Sequence, residues 1–190
     1  MEQKAVIPAG GGWIEKNIRE FRGSPVLRIG DEWMLITAGN TSTGPGRWNT
    51  MTASWGGFGV LWGKDVTFSF IRPGRFTRGF ADANSLFTLS FFGKKYHNAL
   101  AFCGEKSGRD HDKAAETGLT PIVFGSDIAG GRAAGAVAFM EASDIVICRK
   151  IYTHDIDPAN FLHADIAANY PQKDYHRMYV GEALTLLTAK

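Results

Sequence analysis

Cysteine is scarce: Cys103 and Cys148 are the two in a chain of 190 residues. They form no C-x-x-C pair, so a disulfide framework, a zinc ribbon and a dithiol redox motif all lack their building blocks. A chain of this length buries enough surface to fold without such a staple. Long apolar runs are missing as well. No stretch of about 18 apolar residues offers a membrane span. Residues 1–25 hold only the short apolar run 5–8 ahead of three glycines, too little for a signal-peptide core. The expectation is a reduced, cytoplasmic protein with no membrane partner. Neither sign of charge dominates: 21 Lys and Arg against 19 Asp and Glu leave a formal +2, too weak a field to recruit nucleic acid or a lipid surface. Any basic chemistry has to be local.

Several sequence signatures are absent too. G-x-x-x-x-G-K, H-E-x-x-H, G-x-S-x-G and a strand followed by G-x-G-x-x-G do not occur. His154, Asp155, Asp157, His163 and Asp165 fall close together, but their spacing fits no metal signature, and no metal is expected.

Glycine and aromatics are plentiful, with 23 Gly, 13 Phe and five Trp. Aromatics spaced by glycine suit short strands and tight turns. Runs rich in β-branched or aromatic residues recur at 26–29, 33–37, 51–55, 66–71, 86–92, 136–140, 145–152 and 178–187, most of them bounded by Gly, Pro, Asn or Asp. Within 66–71, Thr67, Ser69 and Ile71 alternate with Val66, Phe68 and Phe70, the period of a strand. Helical patterns are fewer: one starting at Thr77, one over 94–103 and one over 158–169. The stretches 39–47 and 125–135 have the composition of loops, and neither is long enough to separate domains. The expectation is a single domain over 1–190, mainly β, a barrel or sandwich with a few added helices.

Three segments could carry chemistry. In 49–62, Thr50, Thr52 and Ser54 offer hydroxyls, Gly56, Gly57 and Gly59 leave backbone N–H groups open to close approach, and Trp55, Phe58 and Trp62 add planar surface. This suits a flat heteroaromatic ligand; equally, it is a strand, a glycine turn and a strand with core tryptophans. In 71–78, Arg72, Arg75 and Arg78 accompany a Pro73–Gly74 turn and Thr77 at a helix start. Such a set binds phosphate if the guanidinium groups converge, and is a solvated basic surface if they do not. In 104–121, Ser107, Arg109, Asp110, His111, Asp112 and Lys113 make a dense polar loop, either functional or simply solvated, with Ser107 or Asp110 capping a helix that runs toward Gly118.

As an ordered series, N-x-M-T-A-S-W at 49–55, G-V-L-W at 59–62, I-R-P-x-R-F-T at 71–77, F-T-L-S-F at 87–91, S-G-R-D-x-D-K at 107–113, G-L-T-P at 118–121 and Y-V-G-E at 179–182 resemble the flavin reductase-like family of FMN-binding split-barrel proteins, which includes flavoredoxins. The resemblance covers about 33–187. It implies a six-stranded Greek-key split β-barrel with a few helices, and a homodimer with FMN near the subunit interface. Carried over, Thr52, Ala53, Ser54 and Trp55 line the isoalloxazine and ribityl chain, with Asn49 at the head of the same motif. Arg75 and Thr77 hold the phosphate with Arg72 close by; Ser107, Gly108, Arg109, Asp110 and Lys113 form the loop beside the flavin. His176 faces the nicotinamide or flavin edge and is the one candidate catalytic side chain. The implied activity is hydride transfer from NAD(P)H to flavin, with a redox protein or a small molecule as electron acceptor. The alternatives are a flavoredoxin-type carrier with tightly bound FMN, and a non-catalytic module binding another ligand or a protein on the same barrel.

Overall fold

The computed structural model describes residues 7–40 and 48–190. The expected loop 39–47 therefore lies largely outside the described residues. In chain order the elements are β1 (Ile7–Pro8), β2 (Trp13–Lys16), α1 (Pro25–Gly30), β3 (Met34–Gly39), β4 (Trp48–Ala53), β5 (Gly56–Leu61), β6 (Lys64–Ile71), α2 (Phe76–Ala83), β7 (Leu86–Phe91), α3 (His97–Glu105), α4 (Lys113–Thr117), β8 (Pro121–Val123), β9 (Val137–Phe139), β10 (Asp144–Asp155) and β11 (Arg177–Ala189), with short 3-10 turns between them. Among these no helix is long and apolar enough to cross a membrane.

The main sheet runs β4-β3-β7-β10-β11-β6-β5, with β2 added to β11, and a small sheet β1-β8-β9 stands apart. The path has two ends, β4 and β5, so the barrel is split rather than closed. Its first six strands are the expected barrel, and β5 extends it as a hairpin with β6.

Burial explains why the strands form where they do. Met34, Ile36, Ala38, Leu89, Phe91, Val146 and Cys148 lie in one apolar cluster, while the intervening Leu35, Ile145 and Ile147 lie in another. Successive strand residues point to opposite faces, and here both faces are covered, so β3 is buried throughout, with the Thr37 hydroxyl paired to that of Thr50 at 2.9 Å. In β6 the hydroxyl-bearing Thr67 and Ser69 are on the buried side with Ile71, and Phe68 and Phe70 are the less buried partners. The expected alternation is present with its small polar members inward; Thr67 Oγ1 meets the Cys148 Sγ at 3.3 Å, whereas the Ser69 hydroxyl is buried without a partner among the described residues.

Two expectations fail. Residues 26–29 form not a strand but α1, because Pro25 occupies the first helical turn behind Ser24, where its missing N–H costs nothing. Residues 158–169 form not one helix but two 3-10 turns, Pro158–Asn160 and Ala164–Asn169. Asp157 caps the first of these through Ala159 N, and the chain turns extended at Phe161.

Strand β11 joins the two halves of the barrel. It pairs with β10 along its length, with β6 through residues 177–182 and with β2 through residues 186–189. Helix α2 is clamped to the same end. Arg177 binds Asp155 and Asp82, the Tyr179 hydroxyl donates to Asp82 at 2.7 Å, and Lys150 Nζ donates to the last carbonyls of the helix at Ala81 and Asp82. Where β11 crosses the core, a Cβ on Gly181 would stand 2.5 Å from the Phe87 ring and 2.8 Å from Cys148 Cβ. Gly181→Ala is expected to destabilise the fold by about 1–3 kcal/mol, the usual cost of over-packing a core. Urea unfolding followed by circular dichroism measures it; an unchanged midpoint would mean that Phe87 and Cys148 move aside.

Candidate functional site

A groove in two lobes opens at the end of the barrel where β4 and β6 finish. The first lobe, about 200 Å³, is lined by Met51, Thr52, Ala53, Ser54 and Trp55 from the end of β4, by Phe70, Arg72 and Arg75 from β6 and the turn after it, and by His176 before β11. The Thr52 hydroxyl donates to the Leu100 carbonyl of α3. That helix lies close enough that a Cβ on Gly104 would be 3.2 Å from Thr52 Cβ. Trp55 stays 43% exposed, its ring 4.8 Å from the imidazole of His176.

His176 is buried, and its Nδ1 lies 3.0 Å from the Tyr170 hydroxyl. Burial, then the charge of Arg72, push its pKa down to about 4, with Asp174 opposing, so the ring is neutral at pH 7. Arg72 Nη1 lies 2.8 Å from both carboxylate oxygens of Asp174, Nη2 donates to the Asn169 carbonyl at 2.9 Å, and the guanidinium sits over the Tyr170 ring. The same hydrogen bonds hold the Asp174 carboxyl below its ordinary range.

The second lobe, about 80 Å³, shares Met51 and Arg75 with the first and adds Asn49, Gly74 and the start of α2 at Phe76 and Thr77, the turn Ser107 to Arg109, Lys113, and Glu105 and Lys106, which pair with each other at 2.7 Å. Asn49 Nδ2 donates to Thr77 Oγ1 at 2.8 Å and to the Thr50 carbonyl at 3.3 Å. Its Oδ1 stands against Gly108: a Cβ there would be 2.0 Å away, so a side chain at 108 would force Asn49 from its hydrogen bonds. Arg75 Nη1 donates to the Gly104 carbonyl. Arg109 reaches the Gly74 carbonyl at 3.4 Å and lies over the Phe76 ring.

Lys113 is buried at the first turn of α4, and its ammonium donates to the Thr50 carbonyl at 2.8 Å and the Cys103 carbonyl at 2.7 Å. An ammonium has three donors, so one remains beyond these two bonds. Burial pushes the pKa of Lys113 down to about 8, and the group remains a cation at pH 7. With Arg75, Arg109 and the start of α2, which no side chain caps, the lobe is built for an anion.

Of the residues singled out in the sequence, Asn49, Thr52, Ala53, Ser54, Trp55, Arg72, Arg75, Thr77, Ser107, Gly108, Arg109, Lys113 and His176 line these two lobes. Asp110 lines neither; it is exposed, with its N–H on the Ser107 carbonyl. Of the three arginines, Arg72 and Arg75 reach the first lobe, Arg72 held there by Asp174 and Arg75 lining both lobes, while Arg78 pairs with Asp82 and Asp155 and lines neither.

Two of the glycines of 56–59 close on strand β6: a Cβ on Gly56 would be 2.6 Å from the Phe68 carbonyl and one on Gly59 3.2 Å from the Phe68 ring, while one on Gly57 would meet nothing among the described residues. Phe58 packs in the core with Phe21 and Phe91, and Trp62 sits against Tyr152. The cap of α4 is Asp112, whose Oδ1 accepts from Ala115 N at 3.0 Å, rather than Ser107 or Asp110. Met51, Phe70, Tyr170 and Asp174 were not anticipated. The density of aromatics at Phe161, Tyr170 and Tyr175 before His176 is the one signal in the sequence that points to Tyr170.

No protein-family model matches the chain, and no curated protein matches it. Solved structures do. Flavoredoxin of Desulfovibrio vulgaris (Miyazaki F) matches with a TM-score of 0.59 at 20% identity, over 83% of this chain and 69% of that one. An FMN-binding domain of a flavin reductases-like enzyme from Shewanella baltica matches with a TM-score of 0.61 at 13% identity, over 93% and 77%. The NADH:FAD oxidoreductase SgcE6 of Streptomyces globisporus, in complex with NAD and FAD fragments, matches with a TM-score of 0.57 at 13% identity, over 83% and 74%. The chain has the split-barrel fold of flavin reductase-like proteins. At these identities the likeness is one of fold.

The buried ammonium has a signature in stability. Folding depresses the pKa of Lys113 from 10.5 to about 8, so between those values the unfolded chain binds more protons and stability rises with pH. Relative to Lys113→Met, the wild type is expected to gain up to about 3 kcal/mol from pH 8 to pH 10.5. Denaturant unfolding at a series of pH values measures this, and a constant difference between the two proteins would show that the ammonium is not desolvated. Burial pushes the Cys103 thiol up to about 11, with the Lys113 charge opposing.

Proposed function

We propose that the protein binds FMN in this groove and is a flavin reductase that takes hydride from NAD(P)H. The observation that carries the reading is the joining, through Arg75, of a lobe walled by Trp55, Phe70 and the neutral His176, where Asp174 offsets Arg72, to a smaller lobe that holds Lys113 and Arg109. That is the shape and charge order of a planar ring with a phosphate at the end of a short chain. The Gly108 cradle supports it as well: its backbone is pressed against Asn49 where a side chain would fill the anion lobe. Similarity to an FMN-binding flavin reductases-like enzyme and to an NADH:FAD oxidoreductase agrees with this chemistry.

In this reading Thr52, Ala53, Ser54 and Trp55 hold the ring, and Arg75, Thr77, Arg109 and Lys113 hold the phosphate. The chemistry that such a cofactor supplies is reversible two-electron acceptance from a reduced nicotinamide. The protein orients, donates hydrogen bonds and excludes water from one side. Neutral His176 beside Trp55 adds a polar edge without adding charge to the ring lobe. The exposure of Trp55 leaves the other side open to a second planar molecule, or to a second subunit completing the pocket. A homodimer with the flavin near its interface belongs to the proposal, as does action in the reducing cytoplasm. Similarity to flavoredoxin supports a second reading, a carrier that keeps its FMN and passes electrons to a redox protein.

The ultraviolet-visible spectrum of the purified protein, alone and with added FMN, tests flavin binding; no flavin absorbance and no uptake would refute both readings. Stopped-flow mixing with NADH and NADPH then separates them, since bleaching marks the reductase and its absence with either nucleotide marks the carrier. Arg75→Ala is expected to weaken FMN binding by about 1 to 3 kcal/mol, the range for a lost hydrogen bond to a charged group. Unchanged affinity by titration calorimetry would reject the phosphate lobe. Sedimentation is expected to give a dimer, and a monomer would remove the partner chain from the pocket.

A further inference from the structure

We propose that Tyr170 is a positioning residue: its hydroxyl donates to Nδ1 of His176 and holds the imidazole as the tautomer protonated on Nε2, which presents a neutral N–H donor to the ring lobe. The identity of the ligand that receives this donor rests on the flavin reading; the tautomer does not.

Tyr170 and His176 are both buried, and the 3.0 Å hydrogen bond between them joins the last 3-10 turn before β11 to the wall of the groove. A neutral imidazole has one N–H and one bare nitrogen, and a phenol has one proton to place. If His176 donated from Nδ1, the Tyr170 proton would need another acceptor, and among the described residues the hydroxyl's hydrogen bond is the one to His176. Donation by Tyr170 satisfies both groups with a single bond and leaves the proton of His176 on Nε2, at a different edge of a ring that lines the lobe.

The phenol has little freedom to leave this position. Its ring stacks on Phe161 with centroids 5.9 Å apart, meets Tyr175 at 5.0 Å and turns an edge to Trp55 at 6.5 Å. Arg72, pinned by Asp174, covers it at 5.2 Å. The imidazole is held between Trp55 at 4.8 Å and Phe70 at 6.5 Å. The charged groups that bear on it are Arg72, Arg75 and Asp174, and the two cations disfavour a third beside them. Burial raises the pKa of the Tyr170 hydroxyl, so it keeps the proton that it donates. A donor that is neutral through the physiological range meets an acceptor atom of a planar ligand without titrating.

Ring-nitrogen NMR on flavin-free protein with ¹⁵N-labelled histidine reads the tautomer directly. The wild type is expected to show His176 with bare Nδ1 and protonated Nε2, unchanged from about pH 8 down to about pH 5. Tyr170→Phe is expected to give two tautomers in exchange and to weaken FMN binding roughly three- to tenfold by fluorescence titration, the loss of one hydrogen bond's worth of ordering. A proton on Nδ1 in the wild type overturns the proposal, as does a Tyr170→Phe protein with the wild-type tautomer, whatever its affinity. Should that variant not fold, the wild-type spectrum alone decides. A wild type that binds no FMN overturns the flavin reading and with it the ligand of this donor, while the spectrum still decides the tautomer.

Discussion

The register between β6 and β11 is the constraint on which the groove depends. Ile71 lies opposite Arg177, so the next pair outward is Arg72 and His176, from segments 104 residues apart in sequence. A slip of one residue would turn every side chain of β11 to the other face and carry His176 out of the ring lobe. That register is held from both ends. At Gly181 the strand passes so close to Phe87 and Cys148 that no side chain can enter, and at Arg177 and Tyr179 ion pairs and a hydrogen bond tie it to Asp155 and to Asp82 of α2. The same ties place the start of α2, hence Arg75 and Thr77, over the second lobe.

Burial acts on His176 and Lys113 in the same direction and with opposite results. Desolvation disfavours the charged form of any cationic acid. His176 begins at an ordinary pKa of 6.5 and is driven to about 4, so it enters physiological pH neutral; Lys113 begins at 10.5 and falls to about 8, so it enters as a cation. Arg72 adds a fixed positive charge to the ring lobe, and Asp174 offsets it through two short hydrogen bonds. At pH 7 the first lobe therefore holds a neutral imidazole and an arginine offset by Asp174, the second holds the Lys113 ammonium, and Arg75 lines both.

The groove was legible in sequence where its residues lie close together along the chain. Thr52 to Trp55 form one strand end, Arg75 and Thr77 one turn, and Ser107 to Lys113 one loop, so their spacing survives folding. What misled was residue type without partners. Gly56 and Gly59 suit contact with a ligand as well as contact with a neighbouring strand, and the Phe68 backbone and ring took that place. Arg78 has the chemistry of a phosphate ligand, but the turn of α2 sends it to Asp82 and Asp155. Val26 and Ile29 have strand propensity, and Pro25 behind Ser24 set a helix instead. Asp110 sits in the right loop but faces solvent.

Composition, the short recurrence of β-branched and aromatic runs, and the ordered motifs together specified a mainly β barrel and the segments that furnish its groove. These are properties of near neighbours in the chain, set by local propensity and the two-residue period of a strand. The pairing of Tyr170 with His176, the ion pair of Arg72 with Asp174, and the sharing of Arg75 between two lobes came from the folded molecule. They depend on which distant groups share a buried space, and the pKa of a side chain is a property of that space rather than of the residue.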